Sequence, residues 1–134
     1  EIRVVAKTKD LVLRSSFFKS PLPVDADRPM IARAVHNLLS NAIKYTRPQG
    51  EIWPRSSGRE GFAQLEISNT GDPIPEAALE KIFESYERLN LSAEGEGLGL
   101  AITRAIVESH HGKVWAESGP GLPNRFLMLL PLAN

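Results

Sequence analysis

The chain has 134 residues, 42% of them hydrophobic and 24% charged, the composition of one ordinary globular domain with its own core. Sixteen basic and sixteen acidic side chains cancel, so no overall field draws it to nucleic acid or to an anionic membrane. The lack of cysteine excludes disulfides, thiolate catalysis and cysteine-ligated metals and fits a reducing compartment, and no apolar run approaches the roughly 20 residues that span a bilayer.

The chain begins at Glu1 without an initiator methionine and is expected to be a piece of a longer protein. Residues 1–18 alternate loosely between apolar and polar and predict two short strands around the polar turn KTKD. SPLPVDADRP is a loop that ends in a helix start, with Asp27 as N-cap and Pro29 in the first turn, where a missing N–H costs nothing. Helical spacing runs from Met30 to Tyr45 and stops at RPQG. EIWPRS and FAQLEIS predict paired strands around SGREG, followed by the turn-rich loop NTGDPIP and a short helix over EAALEKIFESYERL. After the loop NLSAEGEG a second long helix is expected from about Leu98 to His111, and KVWAES and RFLMLLP close the chain as a hairpin joined by GPGLPN. Strands and helices mix without regular βαβ alternation, which predicts an α/β two-layer sandwich with a mixed, mostly antiparallel sheet and helices on one face.

Three segments carry chemistry. In HNLLSNAIKYT, Asn37, Asn41 and Lys44 fall within one narrow helical arc, while Ile31, Val35, Leu38, Leu39 and Ala42 form a separate apolar arc expected to face the sheet. Asparagine is a mediocre helix former, so two of them one turn apart beside a lysine suit a cleft better than a solvated face or the core. An amide oxygen is a neutral hard ligand for Mg²⁺, and lysine offers a point charge for phosphate. In ISNTGDPIP, Asn69 ends an apolar strand just before a turn built on Gly71; its amide can both accept from and donate to the edge of an adenine. In GEGLGLAI, Gly95, Gly97 and Gly99 run into a helix, where free N–H groups and the helix dipole favour an anion such as phosphate.

In this order and spacing the segments resemble the ATP-binding catalytic domain of sensor histidine kinases, in the superfamily that also holds DNA gyrase B, Hsp90 and MutL. HNLLSNAIKYT is similar to the family's N box, NTGDPIP to its first glycine box, KIFESYER to its phenylalanine box and GEGLGLAI to its last glycine box. The resemblance covers about Asp27 to Pro131 and implies that residues 1–134 are one such domain with a Bergerat-type ATP-binding fold, separate from its dimerisation and phosphoacceptor domain. It also implies ATP with Mg²⁺ as cofactors. Asn41 would coordinate the metal, Asn37 would line the same site and Arg88 would reach the γ-phosphate from a lid at about residues 89–95. Lys44, Tyr45, Gly95, Gly97, Leu98, Gly99 and Leu100 would meet the phosphates, and Asn69, Gly71 and Ile74 the base.

The implied partners are ATP or ADP, a histidine on the phosphoacceptor domain of the same parent and, indirectly, a response regulator, with no nucleic acid and no membrane contact by this piece. The implied location is cytoplasmic, and membrane anchorage of the parent is left open. The sequence departs from the family at four positions. Asn69 replaces an aspartate, keeping an acceptor and losing a charge. Pro73 replaces a glycine and stiffens its loop. Glu96 stands where a small hydroxyl residue is common and would repel a triphosphate unless it points outward. Glu87 takes an aromatic position, leaving Phe83 and Tyr86 as anchors.

The superfamily's hydrolases carry a glutamate where this chain has Asn37, which is no base, so the resemblance favours transfer to a protein histidine over ATP hydrolysis. A nucleotide-sensing or docking module without kinase activity is the alternative. His36, His110 and His111 are expected in solvated or helix-capping roles and not as phosphoacceptors.

Overall fold

A computed structural model of the chain describes residues 12–13, 24–79, 81–84 and 96–133. The elements in order are β1 (Val12–Leu13), α1 (Arg28–Tyr45), β2 (Glu51–Arg59), β3 (Phe62–Asn69), α2 (Glu76–Leu79), a 3-10 turn (Lys81–Phe83), α3 (Glu96–Ser109), β4 (Lys113–Glu117) and β5 (Asn124–Pro131). They build one sheet in the order β1-β2-β3-β5-β4, with four antiparallel strands and the two-residue β1 running parallel to β2 at the edge. The expected sandwich is present, with α1 and α3 packed on each other and on one face of the sheet.

Local chemistry explains the boundaries. The Asp27 carboxylate accepts from the Met30 N–H at 3.1 Å and caps α1, with Pro29 in the first turn, so the helix begins two residues before the apolar spacing predicts. β2 runs past its expected end at Ser56 to Arg59 and meets β3 at a two-residue turn, Glu60–Gly61, with φ of 43° and 89°, the left-handed geometry that suits a tight hairpin. Pro54 lies within β2 beyond the two residues that β1 covers, so no described strand needs its missing N–H. The helix expected over residues 76–89 is described as four residues of α2 and the 3-10 turn; the rest lies outside the described residues. The strands expected over residues 1–18 likewise reduce to β1 among the described residues.

At the far end, α3 closes with Gly112 N–H on the Val107 carbonyl at 2.9 Å and His111 N–H on that of Glu108 at 3.0 Å, a Schellman pair with His111 at φ 65°. The glycine stands one residue later because a Cβ there would overlap the Leu129 carbonyl of β5. His110 caps the same end through Nδ1 to the Ile106 carbonyl, 2.8 Å, and its Nε2 accepts from the Asp27 N–H at 3.1 Å.

The core follows the strand alternation. Ile52, Ile67, Phe126, Met128 and Leu130 point from the sheet toward Leu38 and Ala42 of α1 and Leu100, Ile106 and Val107 of α3. Full burial of a side chain such as Leu38 or Phe126 is worth about 1.5–3 kcal/mol. Ile31, Val35 and Leu39 complete the apolar arc against this cluster, as their spacing predicts, and Phe83 of the 3-10 turn joins it as the expected anchor. Two polar residues end the inward-facing columns: Asn69 of β3 and Asn124 of β5, paired in register and both fully buried. The hydrophobic core stops there and a polar region begins.

Candidate functional site

The polar arc of α1 faces the first turn of α3. Asn37 Nδ2 donates to the Gly99 carbonyl at 3.2 Å, and Asn41 Nδ2 donates to the Asn37 carbonyl at 3.0 Å. A carbonyl can only accept, so both amides are fixed in orientation with the NH₂ turned to backbone. Neither Oδ1 accepts from a described residue, leaving two carboxamide oxygens at one seam. Asn41 is 8% exposed, yet it lies outside the apolar cluster and beside Asn37 and Gly99.

The helix expected to open at about Leu98 begins at Glu96, so Gly97 and Leu98 lie in the first turn, where the leading N–H groups lack partners within the helix. Those of Gly99 and Leu100 already make its first backbone bonds and, contrary to expectation, are not free for phosphate. A Cβ on Gly99 would meet Asn41 Nδ2 at 3.6 Å and Asn37 Cγ at 3.7 Å, which measures how closely this turn approaches α1. Leu100 points the other way, into the core. Among the described residues no three His, Cys, Asp or Glu side chains cluster to hold a metal. A divalent ion at the seam would therefore draw on amide oxygens, which Mg²⁺ accepts beside phosphate and water.

A cleft of about 450 Å³ opens beyond the C-terminal end of α1, lined by Lys44, Tyr45, Thr46 and Arg47 on one side and by Asp72, Pro73, Ile74, Pro75, Ala78 and Ile82 on the other. Lys44 is exposed with its Nζ 5.3 Å from the Tyr45 ring centre, a cation–π contact at the cleft wall. Arg47 and Asp72 face each other at 4.0 Å, both highly exposed, a pair that water screens to little net value.

Asn69 lies behind this loop. Its side chain is fully buried and neither Nδ2 nor Oδ1 has a hydrogen-bond partner among the described residues. An unpaired buried polar group costs about 1–3 kcal/mol, so an amide with both ends bare is ready for an outside partner offering a donor and an acceptor together. Gly71 sits where only hydrogen fits: a Cβ would overlap the Tyr45 carbonyl and stand 3.1 Å and 3.2 Å from the amide nitrogens of Asn69 and Asn124. The loop passes this close to α1 because it carries no side chain there.

Of the residues singled out from sequence, Asn37, Asn41 and Gly99 meet at the seam, Lys44, Tyr45 and Ile74 line the cleft, and Asn69 and Gly71 stand behind it. Gly95, Tyr86, Glu87 and Arg88, with the lid expected at residues 89–95, lie outside the described residues. His36 is exposed on α1, and His110 and His111 serve the end of α3.

Two groups escaped the sequence reading. Ser118 and Asn124 hold the loop of Asp72–Ile74 by hydrogen bonds, although Ser118 reads as the last residue of a strand and Asn124 as a turn residue of the closing hairpin. On the helix-free face, Arg125 pairs with Glu66 and with Glu117, each at 2.7 Å, and Ser68 donates to Glu66 at 3.1 Å. These residues border a hollow of about 540 Å³ that contains none of the expected site residues. Alternation marks their side chains as outward-facing, but only the register brings them together.

No helix among the described residues is long and apolar enough to cross a membrane. The profile of the histidine kinase-, DNA gyrase B- and HSP90-like ATPases matches residues 26–134. The chain is 42% identical over 125 residues to the probable sensor kinase SilS of Salmonella typhimurium, covering 90% of this chain and 25% of that protein. It superposes on the nucleotide-free catalytic domain of histidine kinase ThkA with a TM-score of 0.79 and 32% identity, covering 91% of this chain and 79% of that one. It also matches ThkA in complex with the response regulator TrrA, with a TM-score of 0.72 and 32% identity over 90% of this chain and 34% of that one. The chain thus spans about a quarter of the length of the curated relative SilS.

Proposed function

The chain belongs to the histidine kinase-, DNA gyrase B- and HSP90-like ATPase family, and from that premise we propose that it binds Mg-ATP beside α1 and hands the γ-phosphoryl group to a histidine on a separate phosphoacceptor domain of its parent protein, which then serves a response regulator. The observation that carries this reading furthest is the pair of oriented carboxamides. Asn37 and Asn41 each spend their NH₂ on a backbone carbonyl and keep an oxygen for a cation, at the seam where the free N–H groups of α3 begin.

The residues present fit the cofactor. When bound, Mg-ATP supplies the transferable phosphoryl group and a metal that spreads its charge. Asn41 would contribute a metal ligand with Asn37 beside it, Lys44 a positive charge at the phosphate end, and Gly97 and Leu98 the first-turn amides without partners in the helix. Asn69 would lose its double desolvation cost on meeting the edge of the base, with Gly71 and Ile74 shaping the wall. Tyr45 and Ile74 add apolar surface for a planar ring.

The site is built to position and not to activate water. Asn37 has no basic atom, and its amide is already committed to Gly99. A neutral imidazole brings its own lone pair, so transfer to histidine asks only for alignment and charge neutralisation. His110 uses both ring nitrogens in the fold and has none to spare for that role.

The test mixes the chain with its parent's phosphoacceptor domain and γ-labelled ATP. Label should appear on the acceptor as an acid-labile, alkali-stable phosphate. Rapid release of inorganic phosphate by the chain alone, with no label on the acceptor, points to a hydrolase instead.

A further inference from the structure

Ser118 lies just past β4 and Asn124 opens β5, so both stand at the ends of the last hairpin, far in sequence from the loop after β3. Three hydrogen bonds join the two regions. The Ile74 N–H donates to Ser118 Oγ at 2.8 Å, Ser118 Oγ donates to Asn124 Oδ1 at 2.5 Å, and Asn124 Nδ2 donates to the Asp72 carbonyl at 3.0 Å. The Ser118 hydroxyl therefore accepts from one side and donates to the other, and Asn124 does the same with its two amide atoms. The loop is gripped at Asp72 and at Ile74, on both sides of Pro73.

We infer that Ser118 and Asn124 are positioning residues of the nucleotide site: they hold the Asp72–Ile74 segment so that the cleft keeps its width and Asn69 its approach. The inference rests on the nucleotide-binding reading above. Asp72, Pro73 and Ile74 form one wall of the cleft, and Gly71 brings that wall against the Tyr45 carbonyl of the other. Asn124 is fully buried beside Asn69, with its amide nitrogen next to Gly71. The clamp fixes this wall: losing the Ser118 hydroxyl removes the acceptor of the Ile74 N–H and the donor to Asn124 Oδ1 in one step.

The test compares wild type, Ser118→Ala and Ser118→Thr by two measurements: hydrogen exchange of the Ile74 amide without nucleotide, and calorimetric affinity for Mg-ATP and for ADP. Ser118 is only half-buried, and removing one hydroxyl should leave the melting temperature near that of wild type. In Ser118→Ala the Ile74 amide should exchange roughly tenfold faster and both nucleotides should bind roughly five- to tenfold more weakly, the scale of one lost hydrogen bond. The loss should match for ADP and ATP, since the wall lies away from the γ-phosphate. Ser118→Thr keeps the hydroxyl and should restore both. Wild-type affinity in Ser118→Ala overturns the inference, and so does a Thr variant that protects Ile74 without restoring affinity. If wild type binds no nucleotide, the functional reading fails by itself; unchanged Ile74 exchange in Ser118→Ala overturns the clamp in either case.

Discussion

Asn69 states the cost of the site at the scale of one residue. It sits in full burial with two unpaired polar atoms, next to Ile67 and Phe126, where an apolar residue would serve the fold better. Sequence marks the position only as a polar end to an apolar strand, which a turn-forming asparagine explains equally well; burial and the empty hydrogen-bond shell separate the two explanations. Asn69→Leu keeps the branched heavy-atom shape and removes both orphans. It should raise unfolding free energy by about 1–2 kcal/mol while weakening nucleotide binding. Chemical denaturation and a nucleotide titration on the same variant check both halves. A stability loss together with normal binding contradicts the role given to this side chain.

At the scale of elements, periodicity made the strands and long helices legible, because apolar spacing reports the face that meets the core. The start of α3 was less legible: Gly95 and Gly97 read as loop before a helix from about Leu98, whereas the helix begins at Glu96 and takes in Gly97 because this turn packs against Asn37 and Asn41 through Gly99. Tertiary contact overrides propensity there. The helix-free face of the sheet hid most. Glu66, Ser68, Glu117 and Arg125 lie on three strands and meet only through register.

Burial pushes the Glu66 carboxyl up, but the hydrogen bond and charge of Arg125, the Ser68 hydroxyl and the charge of Arg55 together outweigh it and hold the carboxyl below its ordinary value. A carboxylate lowered in the folded state stabilises above its unfolded pKa, and that contribution is lost as pH falls through the folded pKa. Glu66→Gln should therefore be less stable than wild type at neutral pH, with the gap closing as the solution is acidified below the usual carboxylate range. Denaturation midpoints at several pH values test this. A gap that stays constant with pH removes the charge from the explanation.

At the scale of the molecule, a helical layer and a sheet end together at one polar seam. The core runs out at Asn69 and Asn124, α1 turns its asparagines toward α3, and the loop between β3 and α2 is pinned across the gap. Four ordered motifs made this assembly readable from sequence. Its clamp was not, since Ser118 and Asn124 carry no pattern until the hairpin folds back on the loop. Calorimetric titration with ATP, with and without Mg²⁺, on wild type and Asn41→Ala tests the central claim most directly. Wild type should bind with a dissociation constant in about the micromolar-to-millimolar range, tighter with Mg²⁺, and Asn41→Ala should show little or no binding. Equal titrations for the two proteins, or no dependence on Mg²⁺, contradict the account.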